Sequence, residues 1–460
     1  MRPLAVERAK DKVSESIQFQ RNEVLQSIFQ GYEGPPFSIR LWDGWRWQSP
    51  AKGEPVCTIV FHSEHALQAL VIHPSEITLG EAFLSKYIDV EGDIFSVFAV
   101  TEHLLQRPRG YRQRLTKFFS GTLFAIDRWW RKGKCHSPER DRVAISHDYD
   151  QPLGFYKPWL GESLAYSCAY FQSAADSIDV AQRNKFELIC RKLRLHPGDH
   201  FLDIGCGWGS LILYAAYKHH VYSHGITLSR EQAAVAAARI EAARLTRSCE
   251  IELLDYREAL SRPLTFDKIA SVGMFEHVGL KNLPSYFRTV YKLLKPGGVF
   301  LNHGIACSQL SRNLNSSLFD RSIVPFLRDV LFLSPPNASF INKYVFPDGE
   351  LVTISQALEA AESAGFEVRD VENLREHYEL TLRRWIEALQ EHADELLTQV
   401  SETTYRTWLL YMAGSAAAFQ RGDIGVYQVL LCRPNHGDSE LPLRREDWYS
   451  LRTPCQQVEA

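Results

Sequence analysis

Seven consecutive residues, Asp203-Ile204-Gly205-Cys206-Gly207-Trp208-Gly209, could do chemistry through their backbone. Glycine at every second position lets main chain approach a ligand closely, and a helix after the loop would supply free N–H groups. The spacing is G-x-G-x-G, not the G-x-G-x-x-G of dinucleotide folds. The next strand pattern ends in Gly225-Ile226-Thr227-Leu228-Ser229, with no acid to hold a ribose. These features favour S-adenosyl-L-methionine (SAM), whose ammonium group Asp203 can engage; a tight strand–helix packing turn is the plainer alternative. Asp255-Tyr256-Arg257 is placed to flank an adenine. Gly273-Met274-Phe275-Glu276-His277-Val278-Gly279 sets a carboxylate, Glu276, just after another strand, where the nearby loop favours function over a surface acid. Taken singly, His303 reads as a satisfied core histidine, and Cys168, within Tyr166-Ser167-Cys168-Ala169-Tyr170-Phe171, as an inert buried thiol.

Apolar runs predict strands over 200–204, 221–226, 249–254, 266–272, 299–305, 366–371 and 426–432, with helices between, notably an Ala-rich one over 229–245. Pro296-Gly297-Gly298 predicts a turn before the fifth strand. Such alternation means an α/β fold, a mostly parallel sheet with helices on both faces, and ligands at the carboxyl ends of its strands. Residues 306–345 carry no clear period, too long a stretch for an ordinary connection, and are expected to form a lid or binding insertion.

Upstream, residues 1–105 alternate turn residues with short apolar runs, such as those at 37–42 and 55–61. They predict hairpin strands followed by helices near 64–70 and 79–86, a small α+β domain. Residues 106–150 differ: between 107 and 142 eleven Lys/Arg face three acids, interleaved with Tyr111, Phe118, Phe119, Phe124, Trp129 and Trp130. Two readings stand, a basic helix packed on its neighbour or a segment at a membrane interface, with cations on anionic lipid. Residues 151–435 form the sheet domain, and 436–460 a tail without a motif.

The 460 residues, with 52 Lys+Arg against 55 Asp+Glu, exclude a disordered chain and a bulk nucleic-acid binder. No apolar run reaches the roughly 18 residues of a membrane span, and the first ten residues lack a signal-like apolar region, so a cytoplasmic protein is expected. Nine cysteines, none spaced C-x-x-C, predict reduced thiols; no metal is expected, the histidines at 219, 220 and 224 suiting a helix end better than a metal.

Taken together the motifs resemble the cyclopropane-fatty-acyl-phospholipid synthases and mycolic acid cyclopropane synthases. The match runs through Y-S-C-A-Y-F at 166–171, L-D-I-G-C-G-W-G at 202–209, T-L-S at 227–229, D-Y-R at 255–257, V-G-M-F-E-H-V-G at 272–279 and L-K-P-G-G at 294–298. It continues in N-K-Y-V-F-P at 342–347 and Y-x-x-T-L-x-x-W at 378–385, with L-G-E-A-F at 79–83 and I-D-V-E-G-D-I at 88–94 in the lead domain. The resemblance implies a seven-stranded Rossmann-like methyltransferase sheet behind a small α+β domain. It implies transfer of the SAM methyl group to the cis double bond of a membrane phospholipid acyl chain, on the inner face of the membrane, by a homodimer. A bound bicarbonate ion would serve as base, with Cys168, Glu276, His303, the backbone of Ile305 and Tyr378 as its carried-over ligands. Tyr166, Ser167, Asp203, Gly205, Gly207, Gly209, Thr227, Leu228, Gln232, Tyr256 and Arg257 carry over as cofactor positions, Gln232 taking the ribose.

Three departures qualify this carry-over. The family's His-Thr-Ile is His303-Gly304-Ile305 here, a frequent cysteine is Ser415, and the 306–345 insertion is long and is expected to cover the acyl pocket. Alternatives therefore include a methyl-branched or methylene product, a small-molecule N-methyltransferase and a non-catalytic lipid binder.

Overall fold

A computed structural model describes residues 21–63, 66, 76–106, 151–262, 264–308, 340–345 and 350–449. The basic aromatic zone at 107–150, the helix expected at 64–70 except Ala66, and the insertion from 309 to 339 lie outside the described residues. Two compact units emerge. The first holds the described residues up to 106 together with 340–344 and 402–417, and the second holds the remainder.

In the first unit β1 (Phe37–Arg40), β2 (Arg46–Gln48), β3 (Cys57–Phe61) and β4 (Ile88–Gly92) form a sheet in the order β2-β1-β3-β4. Asp43-Gly44 turns β1 into an antiparallel hairpin with β2, as its turn chemistry predicts. The 55–61 run does not continue that hairpin: β3 lies parallel to β1 and closes against β4 instead. Phe29, Phe37 and Trp47 pack edge-on and tilted at its core. Two motifs distant in sequence meet here, because Glu81 accepts from Tyr344 Oη at 2.9 Å and pairs with Lys343. The Lys343 hydrogen bond holds the Glu81 carboxyl below its ordinary range.

Arg406, from the helix Glu402–Arg421, secures the same unit. Its Nε donates to Phe83 O at 2.8 Å and its Nη2 to Ile88 O at 3.0 Å and Asp89 Oδ1 at 2.5 Å. The guanidinium also lies 4.0 Å from the Phe83 ring centroid. Sequence pattern assigned 402–417 to the sheet domain; these contacts explain why it packs with the first unit.

The second unit is built on seven strands, β5 (His200–Ile204), β6 (Tyr222–Thr227), β7 (Cys249–Leu253), β8 (Phe266–Val272), β9 (Leu294–Cys307), β10 (Glu367–Asn373) and β11 (Ile424–Cys432), in the order β10-β11-β9-β8-β5-β6-β7. β11 runs antiparallel to both neighbours, and the other pairs are parallel. Side chains alternate between two apolar layers. Leu202, Ile204, Ile269 and Phe300 join one; Phe201, Ala270, Val299 and Leu301 join the other, against the helices Ile178–Leu193 and Ser210–His219. Caps set the helix starts: Ser177 accepts from Val180 N, Ser229 from Gln232 N, and Thr353 forms a capping box with Gln356.

Two details differ from the sequence pattern. Pro296-Gly297-Gly298 lies inside β9 rather than before it, as a bulge: Leu294 pairs with Phe266 and Val299 with Lys268, and Gly297 supplies φ +77°. The tail, which carries no motif, docks as far as residue 449. Trp448 is buried against the second apolar layer, Arg445 bonds Asp370 and Arg194 pairs with Asp447.

Replacing Arg406 with Leu strands two backbone carbonyls and Asp89, a loss of about 2–3 kcal/mol from the first unit. Thermal unfolding read with limited proteolysis of the N-terminal segment checks this; an unchanged transition would show that Arg406 does not secure it.

Candidate active site

Strand order reverses on either side of β5, so the crevice outside the carboxyl ends of β5, β6 and β8 is where a ligand belongs. The Gly-rich loop leaves β5 there, and its conformation requires glycine. Gly205 has φ +80°, and a Cβ on it would sit 2.9 Å from Met274 Cβ. Gly205 N and Cys206 N donate to Ile226 O, at 2.9 and 3.0 Å, which ties the loop to β6.

A cavity opens at this edge, and ten of the eleven expected cofactor positions line it: Tyr166, Ser167, Asp203, Gly205, Gly207, Thr227, Leu228, Gln232, Tyr256 and Arg257. Gly209 is not among the lining residues. It caps the helix Ser210–His219 at φ +82°, and a Cβ there would come within 3.0 Å of Ala236 Cβ, so its smallness serves helix packing.

The polar groups of the cavity are held from below. Thr227 Oγ1 donates to Gln232 Oε1 at 2.8 Å and accepts from Ser229 N at 3.2 Å, which fixes the Gln232 amide at the cavity wall. Arg257 grips the buried Asp255 through Nε at 2.9 Å and Nη2 at 2.6 Å, so part of its donor set is already engaged. Asp203 is 3% exposed, and its Oδ1 is enclosed with no hydrogen-bond partner among the described residues. Burial lifts its carboxyl to about 7, opposed by the charge of Lys185. An enclosed acceptor on a residue that lines the cavity has the chemistry an ammonium group would need.

Lys185 was not among the sequence candidates. It sits on the buried face of the helix Ile178–Leu193, lines the cavity and donates from Nζ to Ser167 Oγ at 2.8 Å. Burial lowers it to about 7, against the pull of Cys168 and Asp203. The available signal was a lysine at a core-facing position of an amphipathic helix, Ala181-Gln182-Arg183-Asn184-Lys185-Phe186.

The five expected catalytic residues do not line the cavity but stand next to it. Gly273 N donates to His303 O at 2.9 Å, joining the cavity wall to β9, and Cys168 directly follows the lining residue Ser167. Glu276 Oε1 accepts from Ile305 N at 2.7 Å, and His303 lies two residues away on the same face of β9. Cys168 Sγ reaches Leu374 O at 3.8 Å, at the start of the helix Arg375–Glu391. Ala169 N donates to Thr381 Oγ1 at 3.0 Å on that helix, which also carries Tyr378, 4.7 Å from the Phe419 ring. The backbone N–H of Ile305 is thus already engaged by Glu276.

Glu276 Oε2 and His303 Nε2 are enclosed and unpartnered among the described residues. Burial raises the Glu276 carboxyl to about 7 and, with Lys185 and Lys192 nearby, lowers His303 to about 3. The Cys168 thiol is pushed up by burial, an inert state. Of the three histidines considered for a metal, His219 closes on Glu187 and His224 on Glu250 and Glu252.

A doubly wound sheet with a Gly-rich loop and an acid at its switch point defines the class, a SAM-dependent methyltransferase. The mycolic acid cyclopropane synthetase family model matches residues 136–429, and the chain belongs to that family; a domain of unknown function matches 24–104. A probable fatty acid methyltransferase of Pseudomonas putida is 38% identical over 416 residues, 90% of this chain and 96% of the relative. The cyclopropane-fatty-acyl-phospholipid synthase of Escherichia coli K12 is 34% identical over 324 residues, 70% of this chain and 76% of the relative. The crystal structure of mycolic acid cyclopropane synthase CmaA1 with SAH and CTAB matches at a TM-score of 0.56 and 31% identity, covering 63% of this chain and 97% of that one.

The raised Glu276 carboxyl has a consequence for stability. Between its ordinary value of 4.5 and about 7 the folded protein keeps a proton that the unfolded chain has lost, so stability falls as pH rises through that window. Glu276→Gln removes the penalty. Its stability relative to wild type should rise by roughly 2–3 kcal/mol from pH 5 to pH 8. Denaturant unfolding at both pH values measures it, and an equal difference at the two would refute the buried-carboxyl assignment.

Proposed function

We propose that this chain transfers the SAM methyl group to the cis double bond of an unsaturated phospholipid acyl chain, closing a cyclopropane ring, with bicarbonate as a bound cofactor. The observation that carries the reading is the pair of enclosed, unpartnered atoms, Glu276 Oε2 and His303 Nε2, beside the cofactor cavity. Buried polar atoms without partners cost about 1–3 kcal/mol each, and a small oxygen-rich ion is the kind of group that relieves them. Cys168, Glu276, His303, Ile305 and Tyr378 are the residues that would hold it. Bound there, bicarbonate supplies the base for the proton lost on ring closure, and SAM supplies an electrophilic methyl group.

The remaining work belongs to the chain's own residues. An alkene is a weak nucleophile, so its orientation toward the methyl group matters most, and such positioning can contribute about 7–11 kcal/mol. Gly273 and Met274 form the partition between the cavity and the β9 cluster. Near neutral pH much of Glu276 holds its proton, which makes it an O–H donor to an anion instead of a second negative charge. The enclosed rings of Tyr378 and Phe419 offer faces to positive charge that develops on the acyl carbons.

A second outcome, a methyl-branched or methylene chain, is favoured by Gly304. A Cβ at that position would lie 2.4 Å from Phe275 Cδ1, so the Phe275 ring occupies the space where the family's threonine begins. Among the described residues no helix is long and apolar enough to cross a membrane. Access to phospholipid is therefore proposed to come from the basic aromatic zone, acting on an anionic membrane surface.

Expression in a host lacking its own synthase, with NMR of the extracted lipids, decides the product. Cyclopropane protons support the first reading, branched or methylene signals the second, and unchanged olefins reject both. Glu276→Gln should abolish ring formation while SAM affinity stays within about twofold of wild type; full activity would remove Glu276 from the mechanism. Replacing Arg128, Arg131, Lys132 and Lys134 together should weaken binding to anionic vesicles, most visibly at low salt. Unchanged sedimentation with vesicles would refute the surface assignment.

A further inference from the structure

His303 has a direct neighbour across the sheet. In the antiparallel pairing of β9 with β11, Gln428 stands opposite His303, so the two side chains share one face. Both are 1% exposed, and Gln428 Nε2 lies 3.2 Å from His303 Nδ1. An amide nitrogen donates and cannot accept, so His303 Nδ1 is the acceptor in this bond. In a neutral ring the proton then resides on Nε2, the atom that is enclosed and unpartnered among the described residues.

We infer that Gln428 is a positioning residue: it locks His303 in the Nε2–H tautomer and so presents an N–H donor to the anion beside Glu276. This deepens the bicarbonate reading and rests on it. Without the amide, the two neutral tautomers of imidazole interconvert, and one of them turns a lone pair toward the anion. The ring stays neutral throughout the working pH range, since burial with Lys185 and Lys192 holds it near 3, so the control is tautomeric and not a titration. The groups facing it across the apolar layer are those two lysines, and on the sheet Glu276. The opposite amide orientation would reverse donor and acceptor, which makes the tautomer itself the deciding observable.

The experiment compares wild type, Gln428→Met, Gln428→Glu and His303→Gln. Histidine 15N NMR, with the His303 signals assigned by their loss in His303→Gln, should show a protonated Nε2 and an unprotonated Nδ1 in wild type. Gln428→Met, close to isosteric, should give a tautomer mixture, and Gln428→Glu should move the proton to Nδ1. Thermal unfolding confirms that each variant is folded. The expected kinetic result is a fall in kcat of about 10–100-fold for Gln428→Met, larger for Gln428→Glu, with KM for SAM within about twofold. A protonated Nδ1 in wild type overturns the proposal, as does a tautomer left unchanged by both substitutions. Full activity in His303→Gln would instead sink the anion-site reading, and loss there with wild-type kcat in both Gln428 variants sinks the positioning role alone.

Discussion

The constraint on which this structure turns is the enclosure of polar atoms without partners at one edge of a sheet. Asp203 Oδ1 lies at the carboxyl end of β5, Glu276 Oε2 just beyond that of β8, and His303 Nε2 on β9 where it pairs with Val272 at the end of β8; each is enclosed and unpartnered among the described residues. Each such atom lowers stability by about 1–3 kcal/mol, so three in one region are a substantial strain on a protein whose net stability is of order 5–15 kcal/mol. Apolar layers on both faces offset it, with fully buried anchors such as Tyr286, Phe287 and Phe201.

Burial then acts on neighbouring groups in opposite senses. It disfavours charge whatever its sign, so Asp203 and Glu276 move up while Lys185 and His303 move down. Asp203, Glu276 and Lys185, ordinarily charged at neutral pH, are brought close to their midpoints, while His303 is moved away from its own and held neutral. A half-protonated acid bonded to Ile305 N and a neutral histidine two residues earlier on β9 bring little fixed charge to this cluster.

Much of this was legible because backbone requirements are written locally. The glycines at 205 and 207, the absence of an acid after Thr227 and the strand ends at Ile204 and Val272 each follow from one short stretch. What escaped depends on residues far apart. Lys185 reaches the cavity only where its helix packs over β8 and β9, and Gln428 meets His303, 125 residues away in sequence, only where β11 aligns with β9. The parallel β1–β3 pair and the return of 402–417 to the first unit were hidden for the same reason, since period and turn signals specify elements and not their partners. Gly209 shows the converse: its spacing matches a ligand loop, yet its close approach is to Ala236 on a helix.

An anion that must act as a base poses a specific electrostatic problem. A fixed cation would hold it firmly but would also favour its charged form and so weaken it as a proton acceptor. Neutral hydrogen-bond donors retain an ion through directed dipoles with a smaller effect of that kind. The arrangement around β9 has this character: Lys192 is turned to Glu372 and Lys185 to Ser167, while a neutral imidazole and a partly protonated carboxyl remain beside Ile305. The lysines contribute field without contact, an arrangement that would suit the proposed anion, whose basicity would have to act inside an enclosed, weakly polar environment.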